Sequence, residues 1–158
     1  MSTIIDANLT RALSNFPIFE KLNFEELQVV GRALMPYQLP AGKVVYRQGD
    51  HGDSICFVVD GILNVVRETA DGRKLTIASL SSGESLGEMA VIDGLRRSAT
   101  VTTQTEASVL VLRMSKFEEL LGEHPVIGIK VLKGIARYIS KNLRKTSDDL
   151  TALHLSLT

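Results

Sequence analysis

Turn residues recur about every ten positions through the middle of the chain, and this spacing constrains the fold more than any other feature. Short runs of Val, Ile, Leu and Tyr lie between the turns. This alternation is typical of a small antiparallel barrel or jelly roll, so we expect about eight strands over residues 35–114. The turns are Pro40-Ala41-Gly42, Gln48-Gly49-Asp50, Asp60-Gly61, Asp71-Gly72 and Ser81-Ser82-Gly83.

Three strand predictions are more specific. Asp71-Gly72 separates two apolar runs and predicts a tight hairpin. A last strand over about residues 107–113 closes the set. Cys56 lies in an apolar run that predicts a buried strand.

Helices are predicted before the barrel, over residues 1–34. Apolar residues from Ile4 to Leu13 recur at roughly helical spacing, which predicts a short first helix. Pro17 interrupts this pattern because proline cannot continue the hydrogen-bond ladder. Asn23 is a favourable N-cap for a second helix that reaches Leu34.

Two more helices are predicted over residues 115–158. The first covers 115–123, with Ser115 as its N-cap. Pro125 suits the first turn of the last helix, which we expect to reach about residue 146; residues 147–158 either extend it or fray. The whole chain, 1–158, is predicted to be a single domain of the α+β class, mainly β.

Composition excludes several function classes. Lys+Arg and Asp+Glu both number 18, so no net charge attracts the chain to nucleic acid or to a membrane surface. No apolar run is long enough to span a bilayer, and the N-terminus lacks the features of a secretory signal, which together predict a cytoplasmic protein. A single cysteine and three separated histidines offer neither an internal disulfide nor a metal site, and we expect all three histidines at the surface.

The segment from Gly87 to Val101 carries the chemistry of a sugar-phosphate site. A glycine lets the backbone approach a ligand closely, and a helical turn that begins there directs N–H groups at an anion. Glu88 follows directly and offers an acceptor for a sugar hydroxyl. Arg97 lies nine residues later and offers a planar fork of donors that fits two phosphate oxygens.

This segment resembles the phosphate-binding cassette, residues 86–101, of the cyclic nucleotide-binding domain family. The family pattern is Gly-Glu-x-Ala-Leu, a variable loop, then Arg-x-Ala-Thr/Trp-Val. The residues that match are Gly87, Glu88, Ala90, Val91, Arg97, Ala99 and Val101. Two further stretches resemble the family's glycine-marked barrel corners, namely Gly42–Asp50 and Asp53–Gly61.

The resemblance implies roles within the cassette. Glu88 would accept a hydrogen bond from the ribose 2′-hydroxyl, and Arg97 would bind the exocyclic oxygens of a cyclic phosphate. The alternatives are an exposed loop carboxylate with no partner for Glu88 and a surface ion pair with Asp93 or Glu88 for Arg97. Arg96 is interpreted as a solvated neighbour because the family spacing selects Arg97.

Small residues around this pair would complete the site. Ala90 and Ala99 would contribute backbone N–H groups, and Gly87 would adopt a conformation that a Cβ hinders. Ser98 would add a hydroxyl donor to the phosphate or to a guanine, and Met89 completes the ligand-binding set.

The base would bind outside the cassette. Ile77, on the preceding strand, is one candidate for the purine pocket. Alignment of the segment after Arg97 with bacterial catabolite activator proteins places Asn142 at a polar base contact, where an amide suits an adenine edge. The ligand is therefore expected to be cAMP or cGMP, without any cofactor, and a cyclic dinucleotide remains an alternative.

The last helix carries two contrasting faces. One resembles a short coiled-coil seam, in which Asn142 could equally set the register of a homodimer. The other is basic, and we interpret it as a solvated face rather than a nucleic-acid site. The seam comprises Gly128, Leu132, Ile135, Ile139, Asn142, Thr146 and Leu153. The basic face comprises Lys130, Lys133, Arg137, Lys141, Arg144 and Lys145.

These features predict a cyclic nucleotide sensor that signals to a partner protein through movement of its C-terminal helix. Too few residues follow the last helix for a helix-turn-helix, so we expect a sensor without an attached output. It is either a stand-alone protein, which the initial Met slightly favours, or a domain of a longer one. The alternative is the same fold used for dimerisation or partner docking, with an empty or repurposed pocket. An enzyme is not expected, because no nucleophile has an adjacent base.

Overall fold

The computed structural model describes residues 7–158, which form five α-helices, a short 3-10 helix and eight strands. The helices are α1 (Ala7–Leu13), α2 (Phe24–Ala33), α3 (Glu88–Asp93), α4 (Met114–Glu123) and α5 (Pro125–Ser156), with the 3-10 helix at Pro17–Phe19. The strands are β1 (Leu34–Leu39), β2 (Val44–Tyr46), β3 (Ser54–Asp60), β4 (Leu63–Glu68), β5 (Lys74–Leu80), β6 (Ser85–Leu86), β7 (Thr100–Thr103) and β8 (Ala107–Arg113).

The eight strands form two four-stranded sheets in the orders β1-β8-β3-β6 and β2-β7-β4-β5. Every pairing between named strands is antiparallel. Two such sheets that exchange strands out of sequence order make a jelly roll, which confirms the predicted fold class. Asp71-Gly72 lies in the turn between β4 and β5, where Gly72 has a positive φ of 82°, and Cys56 is buried on β3.

The N-terminal helices are largely as predicted. α1 begins at Ala7 in the described residues, so the part of its predicted pattern at Ile4 and Ile5 lies outside them. Asn23 caps α2 in a capping box: its side chain accepts from Glu26 N at 2.9 Å, and Glu26 Oε1 accepts from Asn23 N at 3.0 Å. This reciprocal pair satisfies two backbone donors that a helix start leaves open.

One boundary of the C-terminal helices differs from prediction, and at another the structure decides between the two alternatives left open by the sequence. Arg113 rather than Ser115 occupies the N-cap position of α4, and it makes no side-chain cap. α5 continues to Ser156, ten residues beyond the expected end at 146. The extension contains neither Gly nor Pro, and Lys145 pairs with Asp149 one turn later at 3.1 Å, which supports a continuous helix.

Two hydrophobic cores position the site. One lies inside the barrel around Val58, Leu63 and Val101. The other joins the helices to the β1-β8-β3-β6 sheet and includes Phe57 and Ile135. α5 packs closely on the 3-10 helix at Gly134, where the absence of a Cβ leaves room for the Ile18 carbonyl. The first half of α5 is thereby fixed beside the barrel.

Candidate cyclic nucleotide site

A cleft of about 240 Å³ opens between α3 and the barrel, and the cassette residues form most of its wall. It is close to the lower end of the range for small-molecule sites, and it is open to solvent on one side. Its lining residues are Tyr46, Val65, Leu86, Gly87, Glu88, Met89, Ala90, Asp93, Leu95, Arg96, Arg97, Ser98, Ala99 and Val101.

Gly87 begins the cassette as the N-cap of α3, with a left-handed φ of 91°. A side chain there would collide with Arg97 Nη1 and lie 2.8 Å from the Ser54 carbonyl oxygen. Glycine is therefore required both by its backbone conformation and by the close approach of Arg97, as the sequence predicted. The Gly87 carbonyl accepts a hydrogen bond from Arg97 Nη1 at 3.2 Å.

Arg97 is buried in the wall of the cleft, with 6% of its surface exposed. Its Nη2 donates to the Ser54 carbonyl at 2.8 Å and lies 3.4 Å from Ser54 Oγ. Among residues 7–158 it forms no ion pair, and its buried Nε has no acceptor. The surface ion pair considered from the sequence is therefore absent there. A buried guanidinium without a paired carboxylate can receive an anion, because burial of an unpaired charge is costly.

Glu88 is the first residue of α3 and is also buried, with 9% of its surface exposed. Burial raises the pKa of Glu88 to about 7, although its backbone N–H and the charge of Arg97 oppose this rise. Its Oε2 has no hydrogen-bond donor within the described residues. A buried acceptor without a donor can receive a ligand hydroxyl, and the exposed loop carboxylate considered from the sequence does not occur.

The other predicted cassette residues surround this pair. Ala90 and Ala99 are buried and keep the wall thin, whereas Met89 and Ser98 line the cleft from exposed positions. Arg96 is exposed and donates to the Gly49 carbonyl at 2.9 Å, so it is a solvent-facing neighbour as expected.

Three residues that hold Arg97 were not singled out from the sequence. Tyr46 lies with its ring centroid 3.7 Å from Arg97 Cζ, and Ser54 accepts from the guanidinium. A side chain at Gly52 would collide with Ala90 Cβ and approach Arg97. These residues precede Arg97 by more than forty positions, so no local spacing reveals them. The available signal was the two barrel-corner motifs, which contain Tyr46 and Ser54 and lie on either side of Gly52.

The two predicted base contacts do not line the cleft. Ile77 is 57% exposed on β5, where β4 pairs Val65 with Ala78 and Val66 with Thr76, so Ile77 is the extra residue of a bulge. Asn142 is exposed on α5, within residues 140–158, all of which are exposed. The structure thus brings the cassette residues together around the cleft, whereas Ile77 and Asn142 lie outside it.

The predicted seam on α5 divides between the body and solvent. Gly128 packs on Leu121, and Ile135 is completely buried in the helical core, so these two positions cannot face a partner helix. A row of exposed leucines, which shares Leu153 with the predicted seam, follows the second half of α5 to its C-cap Leu157, with spacings of seven, three and four residues. We call it the leucine stripe: Leu143, Leu150, Leu153 and Leu157.

The basic face of α5 is partly neutralised. Lys130 pairs with Glu26 at 2.9 Å, Arg137 with Glu20 at 3.5 Å and Lys145 with Asp149 at 3.1 Å. Hydrogen-bonded carboxylates compete with nucleic-acid phosphates, which favours the interpretation as a solvated face.

A cleft with a buried cation and an orphaned acceptor contains the groups that suit an anionic sugar. Comparison with known proteins agrees, because residues 36–124 match the model of the cyclic nucleotide-binding domain family. The match covers more than half of the chain, which therefore belongs to this family.

Individual relatives extend this result. A cyclic nucleotide-gated potassium channel of Rhizobium etli is 39% identical over 117 residues, which are 74% of this chain and 31% of the channel. A cyclic nucleotide-binding domain from Methylobacillus flagellatus has a TM-score of 0.82 at 25% identity and covers 90% of this chain and 80% of its own. The Thermus thermophilus catabolite activator protein has a TM-score of 0.76 at 28% identity, covering 87% of this chain and 63% of its own.

The chain spans less than a third of the channel's length. Within residues 7–158, no helix is both long enough and apolar enough to cross a membrane. The same residues hold no cluster of metal-ligating side chains.

Proposed function

We propose that this chain is a cyclic nucleotide sensor that binds cAMP or cGMP in the cleft. The observation that carries the proposal is the buried Arg97, which forms no ion pair among the described residues and has an unpaired Nε. A cyclic phosphodiester carries one negative charge on two exocyclic oxygens. It would satisfy the charge and the open donors together.

Glu88 would bind the ribose of the same ligand. Its unpaired Oε2 would accept from the 2′-hydroxyl. Burial raises the pKa of Glu88 to about 7, and the charge of Arg97 opposes this rise only in part. Gly87, Ala90 and Ala99 would leave room for the sugar-phosphate, while Met89 and Ser98 would contact it from the rim. The base would extend from the cleft toward solvent, so Ile77 and Asn142 would reach it only after a rearrangement.

We further propose that α5 transmits binding to a partner protein. Tyr138 on α5 donates to the carbonyl of Ser85 and accepts from its N–H, both at 3.3 Å. Ser85 lies two residues before Gly87, so α5 is tied to the strand that leads into the cassette. A ligand that draws the cassette inward would bias the position of α5 between two states.

The second half of α5 supports a homodimer as one such partner. The leucine stripe is 57–79% exposed and follows the three-four spacing of a coiled-coil seam. In this arrangement the nucleotide would control the geometry of two paired helices. A dimerisation module with an unused cleft is the competing function, and the same stripe would serve it.

Calorimetry with cAMP, cGMP and 5′-AMP separates these functions. We expect saturable heat with a cyclic nucleotide and at least tenfold weaker binding of 5′-AMP, whose doubly charged phosphate lacks the cyclic geometry. Hydrogen exchange along α5 should change when the ligand is added. Folded protein that gives no heat with either cyclic nucleotide would overturn the proposed cAMP or cGMP sensor and favour the dimerisation module.

A further inference from the structure

Among the described residues that line the cleft, Tyr46 is the only aromatic one, and it contacts Arg97 directly. Its ring centroid lies 3.7 Å from Arg97 Cζ, within the range of a strong cation–π contact. Its hydroxyl lies 2.9 Å from Ser54 Oγ and 3.3 Å from the Ser54 carbonyl. The same Ser54 carbonyl accepts from Arg97, so the ring and the guanidinium share one anchor.

The backbone fixes the two residues relative to each other. β2 pairs Val44 with Thr102 and Tyr46 with Val101, so two steps on β2 oppose one on β7, as in a bulge that redirects a side chain. The loop after β2 then bonds to Arg97 at both backbone groups. Gly49 N donates to the Arg97 carbonyl at 2.9 Å, and Arg97 N donates to the Asp50 carbonyl at 2.8 Å.

A neutral aromatic partner has a different consequence from a carboxylate. A carboxylate would use N–H donors and cancel the charge, and the ligand phosphate would then have to displace it. The ring attracts the cation through its face and uses no N–H group. Nε and one of the two hydrogens on Nη1 therefore keep no acceptor in the described residues.

We infer that Tyr46 is a positioning residue for Arg97, holding the guanidinium at the wall of the cleft with its charge and open donors available to an anionic ligand. This inference rests on the proposed function, in which the anion is a cyclic phosphodiester. The anion site would then comprise Tyr46 and Ser54 as well as Arg97, in addition to the Glu88–Arg97 pair.

A double-mutant cycle tests this role. The affinities of Tyr46→Leu and Tyr46→Phe for cAMP and cGMP are first measured by calorimetry in the chain that retains Arg97. The same variants are then measured in the Arg97→Gln background, by NMR titration at high nucleotide concentration. We expect Tyr46→Leu to weaken binding at least tenfold and Tyr46→Phe less than threefold, because Phe keeps the stacked face. In the Arg97→Gln background, Tyr46→Leu should change affinity less than twofold. Tyr37→Leu, the same substitution at an exposed tyrosine outside the cleft, should have no effect.

The outcomes are distinct. An equal loss from Tyr46→Leu in both backgrounds would overturn the inference, since Tyr46 would then act without Arg97. Unchanged binding by Tyr46→Leu would overturn it while leaving the proposed function intact. A wild-type chain that binds neither nucleotide would overturn both.

A measurement on the unmodified chain covers the case in which Tyr46→Leu does not fold. The Arg97 Nε–H NMR signal should be shifted by the ring current of Tyr46 and should move again when cAMP is added. A signal at the ordinary arginine position, unmoved by the ligand, would contradict the inference.

Discussion

The cleft and the second half of α5 both contain groups without partners, but these groups are polar in the cleft and apolar on α5. The cleft contains a buried cation and a buried carboxyl oxygen without partners, in a volume suited to a small molecule. The second half of α5 exposes four leucines along about 20 Å of helix, a row that suits another helix. The cleft therefore lacks a polar partner, whereas the second half of α5 lacks an apolar one.

The largest expected effect is the loss of nucleotide affinity when the charge of Arg97 is removed from the cleft. Arg97→Met keeps the bulk of the side chain and removes the charge, so affinity for the cyclic nucleotide should fall by about 4 kcal/mol, roughly a thousandfold. Arg96→Met, next in sequence but exposed, should change affinity less than threefold. Calorimetry checks both variants. Equal losses would show that general charge, rather than the buried cation, attracts the ligand.

Glu88 should make folding depend on pH. Burial raises its pKa from 4.5 to about 7, so the folded chain retains a proton that the unfolded chain releases. Its contribution to stability is complete below pH 4.5 and is lost as pH rises through 7, a change of roughly 3 kcal/mol. Glu88→Gln should remove this change, as measured by urea denaturation from pH 4.5 to 8. Identical pH profiles would contradict the buried placement of Glu88.

The leucine stripe should control self-association. Leu150→Glu places a charge in the centre of the stripe and should weaken dimerisation by about 2 kcal/mol or more, because burying an unpaired charge is unfavourable. Leu155→Glu is the matched control, since Leu155 is equally exposed but lies off the stripe. Sedimentation velocity over a concentration series distinguishes monomer from dimer. If wild type and both variants sediment alike, the stripe does not pair.

The smallest effect concerns the link between the regions. Tyr138→Phe removes the hydroxyl that bonds to Ser85 and should cost about 1 kcal/mol of stability. Ligand-induced changes in hydrogen exchange along α5 should shrink, while cAMP affinity changes less than twofold. An undiminished exchange response would place the coupling elsewhere in the contact between α3 and α5.

The sequence revealed the parts of the molecule that depend on local spacing. The turn glycines predicted the jelly roll, and the short interval between Glu88 and Arg97 predicted that both line one cleft. Tyr46 and Ser54 were missed because their contacts with Arg97 span more than forty residues and depend on a bulge in β2. The predicted seam on α5 included Ile135, because sequence periodicity cannot tell that this residue packs in the chain's own core, whereas the heptad spacing of Leu143 and Leu150 was visible in the sequence.

A crystal structure of the complex with cAMP tests the central claim most directly. The account predicts both exocyclic phosphate oxygens within hydrogen-bond distance of Arg97, the ribose 2′-hydroxyl on Glu88, and the Tyr46 ring still stacked on the guanidinium. A nucleotide bound elsewhere, or an Arg97 turned away from the phosphate onto a carboxylate, would contradict it.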